Sequence, residues 1–155
     1  MEFLAATPAH YEQIGQLISS PEELYKVSAV ASFPWDVVQI AEIAQQRLQL
    51  TVAIDEGRVV AFGNLYDVKP TEQAFIGNVI VADSHKGKGI GKAMIEVLSA
   101  KCREHYQVAP SLSVFNYNTP ALMLYHKLGF VPYGCEPRVS QTGETVMLIH
   151  MRLSS

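Results

Sequence analysis

The sequence predicts an α+β fold in which a central mixed, mostly antiparallel sheet is flanked by helices. Three observations predict it. Apolar residues recur at helical spacing near the N-terminus, three strand patterns follow between residues 50 and 82, and a glycine-rich turn then joins a strand to a helix and a further strand. Short turns join the three strands, which makes them antiparallel, whereas the strand–helix–strand unit is expected to be parallel and right-handed.

The first fifty residues are predicted to be mostly helical. A short strand over residues 2–7 precedes a helix over 9–20, and Pro21 opens a second helix because proline suits a first helical turn. The segment 32–36 breaks this helix, and helical spacing resumes over 37–46. Phe33, Pro34 and Trp35 in the break either form the wall or lid of a binding site or, in better agreement with the usual burial of tryptophan, anchor the break in the core.

The remaining elements follow from changes in the hydrophobic period. Turns are predicted at 55–58 and 69–72, and Pro120 marks the first turn of a short helix that stops at Gly129. The pair Gly77-Asn78 inside a strand indicates a β-bulge. The predicted strands are 50–54, 59–68, 73–82, 111–115, 131–139 and 145–153, and the predicted helices are 89–106 and 121–127.

Composition narrows the class of protein. A chain of 155 residues with 48% hydrophobic residues suits one domain, residues 1–155, with a real core. The net charge of −3 disfavours a nucleic-acid-binding protein, which needs a basic surface. We find no signal peptide, no apolar run long enough for a membrane span, and two distant cysteines without metal-ligand spacing. We therefore expect a soluble cytoplasmic protein that binds neither membranes nor nucleic acid and contains no metal.

The nine residues 84–92, SHKGKGIGK, are the strongest functional signal. They follow the apolar run Val79–Val81 and precede a helix, and a strand, a glycine turn and a helix N-terminus together form an anion site. A nucleoside-triphosphate P-loop is disfavoured because Ala93 replaces the Ser or Thr that binds Mg²⁺. The dinucleotide pattern G-x-G-x-x-G also fails, since the sixth position is Lys92 or Met94.

Two motifs resemble those of the GNAT superfamily of N-acetyltransferases. The first is Lys86-x-x-Gly89-x-Gly91, which departs from the family pattern only by lysine in place of Arg or Gln at its first position. The second is Asn118-x-x-Ala-x-x-x-Tyr125-x-Lys-x-Gly-Phe, ending at residue 130. The order of elements is also similar along most of the chain, least so over residues 21–50. A GNAT-like fold is therefore expected.

The resemblance implies direct transfer of an acetyl group from acetyl-CoA, as co-substrate, to a primary amine of a small molecule or peptide in a ternary complex. Tyr125 is implied as the general acid that protonates the leaving thiolate, since a tyrosine holds its proton at neutral pH. Main-chain groups of the strand before the turn would meet the thioester, and the glycine turn would hold the pyrophosphate. The implied coenzyme-binding residues are Val79, Ile80, Val81, Lys86, Gly87, Lys88, Gly89, Ile90, Gly91, Lys92 and Asn118.

Several points stay open at this stage. The general base is not assigned, and its candidates are Asp67, Glu72, Glu136, His126 and His150. The sequence does not identify the acceptor amine, although the mildly acidic chain weakly favours a cationic amine. A homodimer is one option for the oligomeric state. The alternative function is a non-catalytic acyl-CoA-binding sensor or regulatory module on the same fold.

Overall fold

The computed structural model of the protein describes residues 1–154. Its seven strands form one sheet in the order β1-β2-β3-β4-β5-β7-β6. Every neighbouring pair is antiparallel except β4 and β5, which run parallel. The predicted mixed, mostly antiparallel sheet is confirmed. The strands are β1 Glu2–Ala5, β2 Leu48–Asp55, β3 Arg58–Lys69, β4 Gln73–Val81, β5 Ser111–Phe115, β6 Phe130–Val139 and β7 Thr145–Leu153.

Two of the helices begin where a side chain accepts a hydrogen bond from a free amide group. The hydroxyl of Ser20 accepts a hydrogen bond of 3.1 Å from the amide of Glu23, and the carboxylate of Asp36 accepts one of 3.0 Å from Gln39. The helices are α1 Tyr11–Gly15, α2 Pro21–Val27, α3 Val37–Gln46, α4 Ile90–Tyr106 and α5 Thr119–Lys127. Single 3₁₀ turns lie at Pro8–His10 and Asp83–His85.

The prediction of one continuous helix over 9–20 is wrong. The α-helical part ends at Gly15, and the amides of Leu17 and Ile18 bond only three residues back. A Cβ on Gly15 would lie 2.1 Å from the carbonyl oxygen of Trp35, so this residue must be glycine where the chain segments meet. Ile14, Leu17 and Ile18 are nevertheless buried, as their spacing predicted.

Helices cover both faces of the sheet. One core cluster places α4 against β3, β4 and β5, and a second places α1, α2 and α3 against β2 and β3. Trp35 belongs to the second cluster, where its ring meets Phe62 edge-on at 6.1 Å between centroids. The core interpretation of Trp35 is therefore confirmed, but it is wrong for Phe33, which is 43% exposed.

Hydropathy along the helices bears on membrane insertion. Within residues 1–154, none of the helices combines the length and the apolar character that crossing a bilayer requires.

Candidate active site

Strands β4 and β5 part soon after they meet. Within residues 1–154 they pair at only two positions, Phe75 with Ser111 and Ile76 with Leu112. Beyond these pairs β4 continues to Val81 and β5 continues to Phe115. Parallel strands that separate inside a sheet leave a wedge with unpaired main-chain groups along its walls. Two cavities open along this wedge, and most of the predicted site residues line them.

A β-bulge in β4 lies at the point of divergence. Phe62 of β3 faces Ile80, and Asn64 faces Gly77, so β4 carries one extra residue between these pairs. Asn78 has a φ of 51°, in the left-handed region that a bulge can require. The bulge predicted at this position is confirmed, and it turns the end of β4 away from β5.

The first cavity, called the glycine-turn cavity below, has a volume of about 460 Å³. Its walls are the end of β4, the glycine turn, the first turn of α4 and one face of α5. The predicted site residues that line it are Val79, Val81, Lys86, Gly87, Gly89, Ile90, Gly91, Lys92 and Tyr125. The structure thus brings nine of the twelve predicted residues together around one space.

The other three predicted residues lie elsewhere. The Ile80 side chain is buried on the opposite face of the sheet, in the cluster that holds Trp35. Lys88 is exposed and does not line the cavity. Asn118 lines the second cavity, and its carbonyl oxygen accepts a hydrogen bond of 3.1 Å from Leu122 at the start of α5. The main chains of Ile80 and Lys88 nevertheless lie between residues that line the glycine-turn cavity.

The glycine turn presents main-chain amides at the start of α4. Gly87 and Gly89 have φ values of 79° and 82°, which side-chain-bearing residues rarely adopt. Gly89 is the N-cap residue, so no side chain caps the helix, and the first intrahelical bond runs from Ala93 to the Gly89 carbonyl. The main-chain amides that precede Ala93 in the helix have no intrahelical partner and carry the positive end of the helix dipole. This geometry suits a diphosphate group.

The lysines of the turn have carboxylate neighbours. Nζ of Lys86 lies 2.7 Å from Asp83 and 3.6 Å from Glu23, and the hydrogen bond with Asp83 raises the pKa of Lys86. Lys92 lies 4.0 Å from Glu96, one helical turn later. These exposed pairs are weak and salt-screened. Both lysines can therefore exchange a carboxylate for a bound phosphate.

Tyr125 stands where the two cavities meet. Its half-buried side chain lines both of them, together with Val79 and Ala121. The ring packs against Phe130 with 6.0 Å between centroids. Burial raises the pKa of Tyr125 to about 12, and the nearby Tyr66 phenol adds to the shift. The phenol therefore stays protonated at neutral pH and can donate a hydrogen bond into either space.

The second cavity, called the Arg47 cavity below, has a volume of about 430 Å³. It lies between the loop that follows α2, the diverging ends of β4 and β5, and β6. Its polar lining includes Arg47, Tyr66, Ser113 and Asn118. Residues 25–30 also line it. One wall of the cavity therefore comes from residues 21–50, where the family resemblance is weakest.

Arg47 is fixed at the base of this cavity. Its Nη1 donates hydrogen bonds of 3.0 Å to the side chain of Asn64 and 2.9 Å to that of Asn78. The two asparagines are bonded to each other at 2.8 Å, and Asn78 also donates to the carbonyl of Val27. The guanidinium lies over the ring of Tyr66 at 4.4 Å. Burial lowers the pKa of Arg47, while Tyr66 and Asp67 raise it.

Gly77 provides the room for this cluster. A Cβ at this position would lie 2.5 Å from Nη1 of Arg47 and 2.7 Å from the ring of Tyr66. The bulge therefore serves the cavity by letting two side chains approach the main chain of β4. The sequence interpretation missed Arg47 and Tyr66. The available signal was Asn64 and Asn78, two polar residues inside otherwise apolar strands, because buried amides need partners.

A polar chain leads from the Arg47 cavity towards the surface. Ser113 lines the cavity, and its hydroxyl lies 2.7 Å from Nδ1 of His150 on β7. Nε2 of His150 lies 3.6 Å from the carboxylate of Glu136, which also pairs with Arg138. Of the five open candidates for the base, the structure thus brings His150 and Glu136 into one chain that reaches the cavity through Ser113.

The cysteines lie outside both cavities. Cys102 is fully buried in α4, and burial raises the pKa of its thiol to about 11. Cys135 is exposed on β6. Within residues 1–154, no three His, Cys, Asp or Glu side chains are arranged to hold a metal ion.

The chain is similar to known acetyltransferases in both sequence and structure. The Acetyltransferase (GNAT) family matches residues 13–130, which is more than half of the chain. The chain is 29% identical over 100 residues to streptothricin acetyltransferase of Streptomyces lavendulae, over 64% of this chain and 52% of that protein. The curated relatives are matched over 23% to 52% of their own length, so this chain corresponds to about half of them or less.

Solved structures share the fold. The structure of smu.2055 from Streptococcus mutans UA159 has a TM-score of 0.81 at 20% identity, over 99% of each chain. That of yncA from Salmonella typhimurium, solved with its cofactor acetyl-CoA, has a TM-score of 0.77 at 18% identity, over 99% of this chain and 93% of that one. The predicted fold and family are confirmed. With the glycine turn at the start of α4, the parted strands and the family match over residues 13–130, this chain belongs to the GNAT acetyltransferase family.

Proposed function

We propose that the protein is an N-acetyltransferase that moves an acetyl group from acetyl-CoA to a primary amine, directly and in a ternary complex. Family membership supports acetyl-CoA-dependent transfer. One observation carries the proposal for this chain: the glycine-turn cavity and the Arg47 cavity meet at Val79, Ala121 and Tyr125. Two substrates that enter from opposite sides would have their reacting ends at this junction.

Acetyl-CoA occupies the glycine-turn cavity in this proposal. The main-chain amides of residues 87–91 hold the pyrophosphate, and Lys86 and Lys92 supply charge beside it. The pantetheine arm runs between β4 and α5, past Val81 towards Val79. The thioester carbonyl then lies near the unpaired main chain of β4, whose amides can polarise it.

The reaction forms an N–C bond and breaks the C–S bond. Starting from its ammonium form, the amine loses two protons and the sulfur gains one, so one proton is released to solvent overall. Tyr125 lies at the junction with its phenol protonated. Because the pKa of Tyr125 is raised to about 12, its phenol is a weaker acid than a thiol, whose pKa is ~8.5, and full proton transfer to the thiolate is unfavourable. The role of Tyr125 is therefore to donate a strong hydrogen bond to the sulfur as negative charge develops there, and the departing thiolate then takes its proton from solvent.

The amine proton leaves through Ser113 and His150. A lysine-like amine is protonated at neutral pH and must lose that proton before it attacks. The Ser113 hydroxyl passes a proton to Nδ1 of His150 over 2.7 Å, and Glu136 stabilises the resulting imidazolium from 3.6 Å. His150 is thus a base that acts from outside the cavity through a hydroxyl on its wall.

Direct transfer is favoured over a covalent acyl-enzyme. A thiol relay needs a thiolate beside both the thioester and a base. Cys102 is buried with a raised pKa, and Cys135 is exposed on β6 and lines neither cavity.

The test is a titration with acetyl-CoA followed by a free-thiol release assay across a panel of amines and peptide N-termini. The proposal expects thiol release that depends on the amine, with one acetyl group transferred per thiol by mass spectrometry. Tight binding of acetyl-CoA without turnover on any amine would overturn it and favour the alternative, a non-catalytic sensor of acyl-CoA.

Three further properties are part of the proposal. Residues 1–155 act as a single domain, since one sheet and its two flanking cores involve the described chain from end to end. A cytoplasmic location is supported by two free cysteines. A homodimer is supported by the edge strand β6, where Val131, Tyr133 and Val139 are exposed. Light scattering at several protein concentrations would test the dimer.

A further inference from the structure

We propose that the acceptor is an amine that also carries a carboxylate, as an amino acid does, and that Arg47 binds this carboxylate. The inference rests on the proposed function, because it names the substrate class of the same site. Its starting point is the charge of the Arg47 cavity, whose lining contains Lys26, Arg47 and Arg138 and no Asp or Glu. Glu136 pairs with Arg138. Two positive charges on the wall therefore have no carboxylate partner in the cavity.

Arg47 has hydrogen-bonding capacity left for a ligand. Both hydrogen bonds of its side chain leave from Nη1 and end on neutral amide oxygens. Within residues 1–154 the guanidinium forms no ion pair with a carboxylate. A guanidinium has five N–H donors, and a buried cation is stable when it is both paired and hydrogen-bonded. A ligand carboxylate would supply the missing charge.

The guanidinium is held before any ligand arrives. Asn64 and Asn78 fix Nη1, the ring of Tyr66 supports the face of the group, and Gly77 lets it lie against β4. A planar fork in a fixed orientation matches a carboxylate, which accepts two parallel hydrogen bonds. Little side-chain entropy is then lost when the ligand binds.

The arrangement also sets the size and orientation of the acceptor. A cavity of about 430 Å³ suits a small molecule. With its carboxylate on Arg47, an amino acid can direct its amine towards the junction at Tyr125. A polyamine would instead place a second cation beside Arg47 and Lys26. The net charge of the whole chain weakly favours a cationic acceptor, but the local lining of the cavity has the opposite sign and lies closer to the ligand.

The experiment compares matched substrates and matched variants. The substrates are the twenty L-amino acids, their carboxamides and spermidine, each assayed with acetyl-CoA by thiol release. In the wild-type protein, kcat/KM for the best amino acid exceeds that of its carboxamide by about 10- to 100-fold. Arg47→Gln removes this preference mainly through KM for the amino acid, and Arg103→Gln, an exposed arginine on α4, retains it. Acetyl-CoA affinity and the melting temperature check that each variant is folded.

The possible outcomes separate the two proposals. Turnover of carboxamides or spermidine at rates equal to or above those of amino acids would overturn the inference and leave the acetyltransferase in place. This comparison needs only the wild-type protein, so it holds even if Arg47→Gln fails to fold. An unchanged amino-acid preference in a folded Arg47→Gln variant would also overturn it. Binding of acetyl-CoA without turnover of any amine would overturn the proposed function and this inference together.

Discussion

Replacing Gly77 by alanine tests whether the bulge in β4 exists to hold Arg47 and Tyr66. The added methyl group would lie 2.5 Å from Nη1 of Arg47 and 2.7 Å from two ring atoms of Tyr66. Ordinary Cβ contacts are longer than 3.4 Å, so the side chains must move by close to 1 Å. Arg47 cannot move alone, because it is bonded to Asn64 and Asn78.

The size of the effect follows from this crowding. Overpacking of a well-filled site costs roughly 1–3 kcal/mol. For a chain of this length we expect the melting temperature to fall by roughly 2–12 °C, at ~2–4 °C per kcal/mol. Because the guanidinium is displaced, kcat/KM for the preferred amine falls by at least ~10-fold, the loss of one charge-assisted hydrogen bond. Acetyl-CoA affinity stays the same, since the glycine-turn cavity does not include Gly77.

The assays are thermal unfolding, isothermal titration with acetyl-CoA and steady-state kinetics. The matched control is Gly134→Ala on β6, where an added Cβ meets nothing within 4 Å and the backbone φ is not positive. Gly134→Ala leaves all three measurements unchanged. If Gly77→Ala retained full kcat/KM and stability, Arg47 would have other positions available, and the argument for a fixed guanidinium would fail.

Three further substitutions probe the two cavities. Tyr125→Phe lowers kcat by roughly 10²-fold without weakening acetyl-CoA binding. The control is Tyr117→Phe, because Tyr117 lies outside both cavities and this variant keeps the wild-type kcat. Equal kcat in the two variants would refute the role of Tyr125. The raised pKa of Tyr125 stabilises the fold below pH ~10, and this contribution is lost as pH rises towards 12, so Tyr125→Phe unfolds less steeply with alkali. His150→Gln lowers kcat by roughly 10²-fold, while His105→Gln, exposed on α4, leaves kcat unchanged. An unchanged kcat in His150→Gln would assign the base elsewhere. Gly89→Val places a β-branched side chain at φ 82°, and the resulting backbone strain weakens acetyl-CoA binding by ~10-fold or more. The affinity is measured by titration, and an unchanged affinity would refute the pyrophosphate site.

Local sequence predicted the strand, the turn and the helix start around the glycine-turn cavity, because these parts are close together in the chain. Residues 79–92 form the end of a strand, a turn and the start of a helix. Apolar side chains specify the strand, glycines at positive φ specify the turn, and the helix starts at a glycine without a side-chain cap. The bounds of α3 were likewise predicted to the residue, since Asp36 caps its start. Elements of this kind are determined by residues close to one another in the sequence.

The errors arose where a distant residue decides the local structure. The spacing of Ile14, Leu17 and Ile18 is helical, and these residues are buried as expected, yet the helix ends at Gly15, where the carbonyl of Trp35 leaves no room for a side chain. No pattern within residues 9–20 contains this information. The same limit explains Phe33, whose neighbour Trp35 fills the core while Phe33 itself stays exposed.

The Arg47 cavity could not be predicted for the same reason, and this has a consequence for its chemistry. Arg47 follows α3, Tyr66 lies on β3, Ser113 lies on β5 and His150 lies on β7, so only the assembled sheet brings them together. The charge that a ligand meets is set by these few side chains and not by the sum over the chain, because solvent and salt screen distant surface charges within about 10 Å. An acidic protein can therefore hold a cationic cavity. In this family member, the coenzyme side is encoded by contiguous sequence, while the acceptor side depends on where the strands diverge and on the glycine that lets Arg47 lie against β4.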